Sequence, residues 1–160
     1  MNTTEPQEET IFTEELHQMS SYEEATKGQR FVNYLIDNIL MGYGLSYLTG
    51  TIVGYILGMI APEWVLSLEE ESVELIFIGY LIAIFNYLIY YTICEKAFRG
   101  YTLGKLITGT RAIRDDGEEL TTRDAFLRSA SRLVPFEPFS AFGDRVWHDS
   151  WTKTTVIKAR

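Results

Sequence analysis

LIFIGYLIAIFNYLIYYTIC, residues 75–94, is twenty residues without a single charge. A helix needs about 20 mostly apolar residues to cross a hydrocarbon core of roughly 30 Å. This stretch meets that length, and its polar members are only Asn86, Thr92 and four tyrosines. A second apolar stretch, residues 31–61, precedes it. It carries one charge, Asp37, with two asparagines and five glycines. At 1.5 Å per residue it spans about 46 Å, so its ends must tilt, bend or project into the headgroups. The alternative is a pair of buried core helices in a soluble protein. That needs apolar surface elsewhere to cover them, and the rest of the chain has little. The expected fold is therefore all-α and integral to a membrane: two spans, about 31–61 and 75–97, forming an antiparallel hairpin. A cytoplasmic amphipathic helix and short extended or turn segments complete it.

The averages conceal this layout. The 160 residues are enough for one domain. Mean hydropathy is −0.03, typical of a soluble protein. The net charge of −8 and a pI near 4.8 argue against a nucleic-acid binder. A single cysteine excludes an internal disulfide framework and a four-thiolate zinc site. The charges are segregated. Residues 1–26 hold seven glutamates and no Lys or Arg, and residues 62–74 hold five glutamates and no base. All 14 bases precede residue 31 or follow residue 94. The positive-inside rule then puts both termini in the cytoplasm and the Glu-rich loop outside, with Trp64 as an outer interfacial anchor. The acidic N-terminus has no basic n-region or apolar h-region, so the first span is expected to direct insertion. Cys94 is expected to be a reduced free thiol.

Low hydrophobicity and high net charge predict a disordered tail over residues 1–26, with a short helix or docking motif conceivable at 10–19. After the second span, Asp115-Asp116-Gly117 predicts a tight turn. Thr121 with Asp124 resembles a capping box and predicts a helix over about 122–133, ended by Pro135 and Pro138. Residues 135–151 alternate aromatic and polar residues and are too broken by Pro and Gly to span. They fit an interfacial or re-entrant segment. Residues 152–158 fit a short strand.

Arg30, Asn33 and Asp37 recur at i, i+3 and i+7 and share one helix face. Asp37 falls about 10 Å along the axis from Arg30, inside the hydrocarbon. An ionised carboxylate there needs a partner. Arg128, Arg132 and Lys105 are the candidates if the C-terminal segment folds back. One reading is an ion or proton site; the other is a buried charge pair that docks the cytoplasmic segment. Gly42, Ser46, Gly50, Gly54 and Gly58 place a small residue at every fourth position of the first span. Such a stripe allows close helix packing, either on Gly79, Ala83 and Asn86 of the second span or on another copy. Arg123, Arg128, Arg132 and Arg145, with Phe136, Phe139 and Phe142 nearby, suit a segment touching anionic lipid. Residues 100–105 have the wrong spacing for a phosphate loop and no Ser or Thr after the Lys. His148-Asp149 lacks a histidine partner, since His17 lies in the acidic tail, so neither a metal nor a cofactor is expected. No nucleophile elbow is present, and an enzyme is the least supported class.

Four stretches together resemble the RDD family of small bacterial membrane proteins: GQRFVNYLID (28–37), GYTLGKLITGTRAIRDDGEEL (100–120), RSASRLVPFEPF (128–139) and WHDSWTKTTVI (147–157). The likeness covers about residues 27–158 and is similar to Bacteroidetes-type versions. It implies that the family's arginine and first aspartate are Arg30 and Asp37, and that the second aspartate is Asp149. The string Arg114-Asp115-Asp116 is a turn and not the signature. The resemblance implies a membrane protein for which transport has been suggested, some members being associated with sodium/proton antiport. Many relatives have a third hydrophobic helix where residues 133–146 lie here. The leading expectation is a transport-related protein of the bacterial inner membrane that works as a homo-oligomer. In it Asp37 carries an ion or proton, Arg30 modulates it and Asp149 sits at the cytoplasmic mouth. The rival is a non-transporting anchor or assembly module for a protein partner, with Arg30, Asp37 and Asp149 clasped to Arg128 or Arg132.

Overall fold

A computed structural model describes residues 22–68, 72–143 and 145–159. The first long helix starts at a capping box. Thr26 Oγ1 accepts from Gln29 N at 3.2 Å, and Gln29 Oε1 accepts from Thr26 N at 3.0 Å. Helix α1 (Lys27–Ile39) continues through a π-helical segment, Leu40–Leu45, into α2 (Ser46–Ile60). Two glycines, Gly42 and Gly44, lie in that wider turn, where a helix tolerates an extra residue. Together these 34 residues form one helix long and apolar enough to cross a membrane, about 51 Å at 1.5 Å per residue. The short α3 (Pro62–Ser67) leads towards α4 (Val73–Ala97), whose 25 residues form the second such helix. Inside the apolar layer, Asn86 Nδ2 of α4 donates to Thr49 Oγ1 of α2 at 2.7 Å. A satisfied amide at this depth acts as polar glue between helices.

A polar lobe follows. It contains α5 (Leu103–Thr108), β1 (Thr110–Arg114), α6 (Thr122–Ser131), a 3-10 helix (Glu137–Phe142), α7 (Trp147–Thr152) and β2 (Thr154–Lys158). The Thr121/Asp124 capping box opens α6. The turn at Arg114-Asp115-Asp116 closes with Gly117 N donating to Arg114 O at 2.9 Å.

The molecule is mostly helical but not all-α. β1 and β2 pair antiparallel, with Ala112 opposite Val156 and Arg114 opposite Thr154. The two halves of this ribbon lie about 40 residues apart in sequence, so no local hairpin signal marks it. The tail boundary also moves. Residues 1–21, with the predicted helix at 10–19, lie outside the described residues. Residues 22–26, assigned to the disordered tail, instead run along β2: Ala25 N donates to Val156 O at 2.9 Å and Lys158 N to Glu23 O at 2.8 Å. Ala25, Ala112, Leu120 and Val156 form a small apolar core beneath this ribbon. Burial of that alanine and two ladder bonds outweigh the local charge that suggested disorder.

The small-residue stripe does not meet the second span. A Cβ at Gly42, Gly50, Gly54 or Gly58 would touch nothing within 4 Å, and the same holds for Gly79. Only Ser46 of the stripe reaches α4, its Oγ lying 3.5 Å from Asn86 Nδ2.

Candidate functional site

Two glycines allow the polar lobe to close on the spans. Gly100 has φ +92°, and a Cβ there would lie 1.9 Å from Ala112 O. No residue with a side chain fits that gap. Gly104, on α5, lies against α1, where a Cβ would fall 2.5 Å from Asn33 O. These are the two glycines of the stretch that superficially resembled a phosphate loop. Their function is close backbone approach.

That approach brings the N–H of Gly104 to Asp37. Asp37 is 1% exposed. Its Oδ1 accepts from Gly104 N at 2.9 Å and from Tyr90 OH at 2.8 Å, and its Oδ2 from Thr102 Oγ1 at 2.7 Å. All three donors are neutral. One turn earlier, the amide of Asn33 exchanges hydrogen bonds with the hydroxyls of Thr108 and Thr110 at 2.5 and 2.9 Å. The expected partnership of Asp37 with Arg128, Arg132 or Lys105 is not what forms. The fold satisfies the carboxylate with hydroxyls and a backbone N–H, and the three bases turn to another carboxylate.

That carboxylate is Glu95, at the end of α4 and fully buried. Its Oε1 accepts from Lys105 Nζ at 2.7 Å and Arg132 Nη2 at 2.8 Å, and its Oε2 from Arg128 Nε at 2.9 Å. Arg128, also fully buried, reaches on with Nη1 to Asp149 Oδ1 at 2.6 Å. Arg30 Nη1 donates to the other oxygen, Asp149 Oδ2. Arg30 also donates to Val156 O at 3.3 Å. A continuous chain thus runs Arg30–Asp149–Arg128–Glu95, with Lys105 and Arg132 as branches. It links α1, α7, α6, α4 and α5. Asp37 is not a member, and Arg132 binds a glutamate, so the expected clasp of Arg30, Asp37 and Asp149 forms from a different set.

The electrostatics follow the contacts. Burial pushes the Asp149 carboxyl up, but the guanidinium groups of Arg128 and Arg30 hold it well below its usual range. Burial pushes the Lys105 ammonium down to about 8, with Glu95 opposing. The guanidinium of Arg132 is raised above its ordinary value by Glu95 against the pull of burial. It also lies 4.5 Å over the Tyr91 ring. His148 sits beside the chain, with Nδ1 2.5 Å from Glu137 Oε1 and Nε2 3.4 Å from Asp149 Oδ1. Burial and Arg132 push its imidazole down to about 4. A neutral ring then donates from Nδ1 to Glu137.

Of the four arginines expected at a lipid surface, Arg128 and Arg132 are buried in this chain. Arg145 holds Asp115 at 2.5 Å. The aromatic side of that expectation does face outward: Phe136 is 72% and Phe139 65% exposed. Between α1 and the ion-pair chain lies a cavity of about 640 Å³, with Arg30, Asn33, Asp37, Lys105 and Arg132 on its wall. Residues missed from the sequence are Tyr90, Glu95, Thr102, Gly104 and Lys105 as a member of the chain. Glu95 carried a signal, as the first charge after twenty uncharged residues.

A helix opening on an arginine, an aspartate inside the same helix, a second long apolar helix and a lobe locked to both by buried ion pairs define a small helical membrane domain. A family model described as RDD family matches residues 25–155, and the chain belongs to that family. No curated protein and no solved structure matches it significantly.

Proposed function

We propose that this chain is a non-transporting anchor or assembly module, with its arginines and aspartates acting as a structural clasp. In this reading the two spans form a hairpin across the bacterial inner membrane. Both termini and the polar lobe lie in the cytoplasm. The exclusive placement of bases outside the interspan loop supports that orientation. The protein performs no catalysis; it presents the lobe to a protein partner. The open face along Gly42, Gly50, Gly54 and Gly58 supports self-association into a homo-oligomer.

The observation that carries the reading is Asp149. Fully buried, it accepts from Arg30 on the first long helix and from Arg128 in the lobe. Removing one partner of such a pair leaves an uncompensated buried charge, a loss of about 3–5 kcal/mol. Asp149→Asn should therefore release the lobe, seen as faster tryptic cleavage at Arg123 in the purified protein. An unchanged cleavage rate would rule the clasp out.

One observation favours transport instead: Asp37 lines the cavity. Against it, both Asp37 oxygens already accept from neutral donors that any cargo would have to displace. Ion or proton flux in proteoliposomes that exceeds protein-free background and vanishes in Asp37→Asn would establish the transport reading over the clasp.

A further inference from the structure

We propose that the lobe is set into the adjacent leaflet of the bilayer, with α5 and the stretch from Phe126 to Phe139 lying against acyl chains. The inference goes beyond the clasp. It needs only that the two long helices cross a membrane, whether the module anchors, assembles or transports. It also reaches beyond the interfacial stretch 135–151 expected from the sequence, because it draws in α5 and the second half of α6.

Contacts with the spans fix the level of each element. α5 returns along α4: Leu103 N donates to Tyr90 OH at 3.2 Å. Tyr90 lies about 10 Å down α4 from its end at Ala97. On the α1 side, Gly104 N reaches Asp37 and Thr108 Oγ1 reaches Asn33. α6 descends along α4. Just before it, Leu120 O accepts from Lys96 Nζ at 3.1 Å. Further along, Ser129 Oγ accepts from Thr92 Oγ1 at 3.2 Å, and Arg132 lies over the Tyr91 ring. Tyr90, Tyr91 and Thr92 belong to the uncharged stretch 75–94, and Asn33 and Asp37 to the apolar stretch 31–61. Both lobe elements therefore stand beside sequence that belongs in hydrocarbon.

Their outer faces change character with that level. Beside Lys96, the first turn of α6 exposes Thr122 and Arg123. Deeper, every exposed residue among those described from 126 to 139 is apolar, Phe136 and Phe139 foremost. On α5, Leu103, Leu106 and Ile107 are exposed, whereas Thr102 and Lys105 are buried. The charges at this level, Asp37, Glu95, Lys105 and Arg128, turn inward, each 3% exposed or less. A surface washed by water favours the opposite distribution. Phe31 and Leu35 of α1 and Ile93 of α4 carry the exposed apolar surface on across the spans. A second copy or a protein partner would cover a patch. An apolar surface that follows depth and continues over both spans fits lipid.

The backbone is satisfied as hydrocarbon requires. The first N–H groups of a helix normally turn to water. In α5 they turn to side chains instead: Leu103 N to Tyr90 OH, Gly104 N to Asp37, and Lys105 N to Thr102 Oγ1 at 3.3 Å. After α6, Pro135 carries no N–H at all. The N–H groups of Leu133, Val134 and Glu137 close on carbonyls three residues back at 3.1, 3.2 and 3.1 Å.

The test reconstitutes the full chain, carrying Cys94→Ala, into vesicles of phosphatidylglycerol and phosphatidylethanolamine. Single nitroxides are attached at Ile107→Cys, Phe136→Cys, Arg123→Cys and, on α4, Tyr80→Cys, a position 67% exposed. Power saturation compares relaxation by oxygen, which concentrates in hydrocarbon, with relaxation by a neutral nickel chelate, which stays in water. Ile107 and Phe136 should match Tyr80, with oxygen over nickel, about 5–10 Å inside the headgroup boundary. Arg123 should show nickel over oxygen. Leu106→Cys and Val134→Cys replace the first two if a label prevents folding. Nickel-dominated relaxation at Ile107 or Phe136 overturns the proposal and leaves that face in water. Weak relaxation by both reagents overturns it too, because protein then covers the face. Nickel-dominated relaxation at Tyr80 overturns it together with the crossing of the membrane by α4, so the two failures are told apart.

Discussion

Gly104 shows how one missing methyl group shapes the centre of this protein. Its backbone N–H reaches Asp37 only because α1 and α5 touch where a side chain would not fit. Gly104→Ala would place a Cβ 2.5 Å from one backbone atom of Asn33 and 2.9 Å from another. Backbone cannot swing away as a flexible side chain can, so α5 must shift. Overpacking of this kind costs about 1–3 kcal/mol. The variant should unfold at lower temperature in detergent than the wild type, and an unchanged melting curve would contradict this account of the contact. From the sequence, the glycine looked like part of a failed nucleotide motif. Its spacing was visible; its neighbour on α1 was not, because the contact joins residues about 70 positions apart. The same gap hid the true partners of Asp37. Helical periodicity correctly puts Arg30, Asn33 and Asp37 on one face, but it says nothing about which distant donors meet that face. Tyr90 lies in what reads as an undifferentiated apolar span, and Thr102 in a loop.

At the scale of elements, long periodic or apolar segments were legible, as was the short strand expected at 152–158, which forms β2 at Thr154–Lys158; the partners of the short elements were not. The two spans and the capped α6 follow from apolar length and from Thr121 with Asp124. The pairing of β1 with β2 and the helix α5 have no comparable local signal, since the first joins segments about 40 residues apart and the second, six residues long, takes its identity from tertiary contacts. The 3-10 helix and α7 illustrate the consequence. They are joined by the Glu137–His148 contact, and Ser140 Oγ also accepts from Trp147 N at 3.0 Å. His148 is held neutral, its value displaced from 6.5 to about 4 by burial and by Arg132, with Asp149, Glu137 and Arg128 also facing it. Its folded value is the lower one, so the unfolded chain takes up a proton first as pH falls. Stability is therefore fully present above pH 6.5 and declines between about 6.5 and 4, by roughly 3 kcal/mol in total. Glu137, also held below its usual value, titrates in the same destabilising direction. Thermal melts should show Tm falling over this window, and His148→Gln should flatten the fall between pH 6.5 and 5. A variant with the wild-type slope would move the acid sensitivity to another group.

Across the whole molecule, the lobe is assembled from both ends of the described chain. Residues 22–26 add backbone bonds to β2, and Arg30 Nε donates to Ala25 O at 3.4 Å. Thr26 caps the first helix. Losing the cap and two ladder bonds should cost about 3 kcal/mol. A chain beginning at residue 27 should therefore melt well below one beginning at residue 22. Equal melting temperatures would show that the segment adds nothing to the fold.

The meeting of Glu23 with Lys158 also has a topological reach. With its two ends one hydrogen bond apart, the described chain is close to a ring. The sequential order of its parts is then separable from their arrangement in space. A short link between residues 22 and 159 would let new ends open between α3 and α4, with every ion pair of the clasp preserved. In the hairpin proposed above, such a rewired chain would begin and end on the bilayer face opposite to residues 22 and 159. Its assembly would separate what the folded contacts require from what the order of membrane insertion requires.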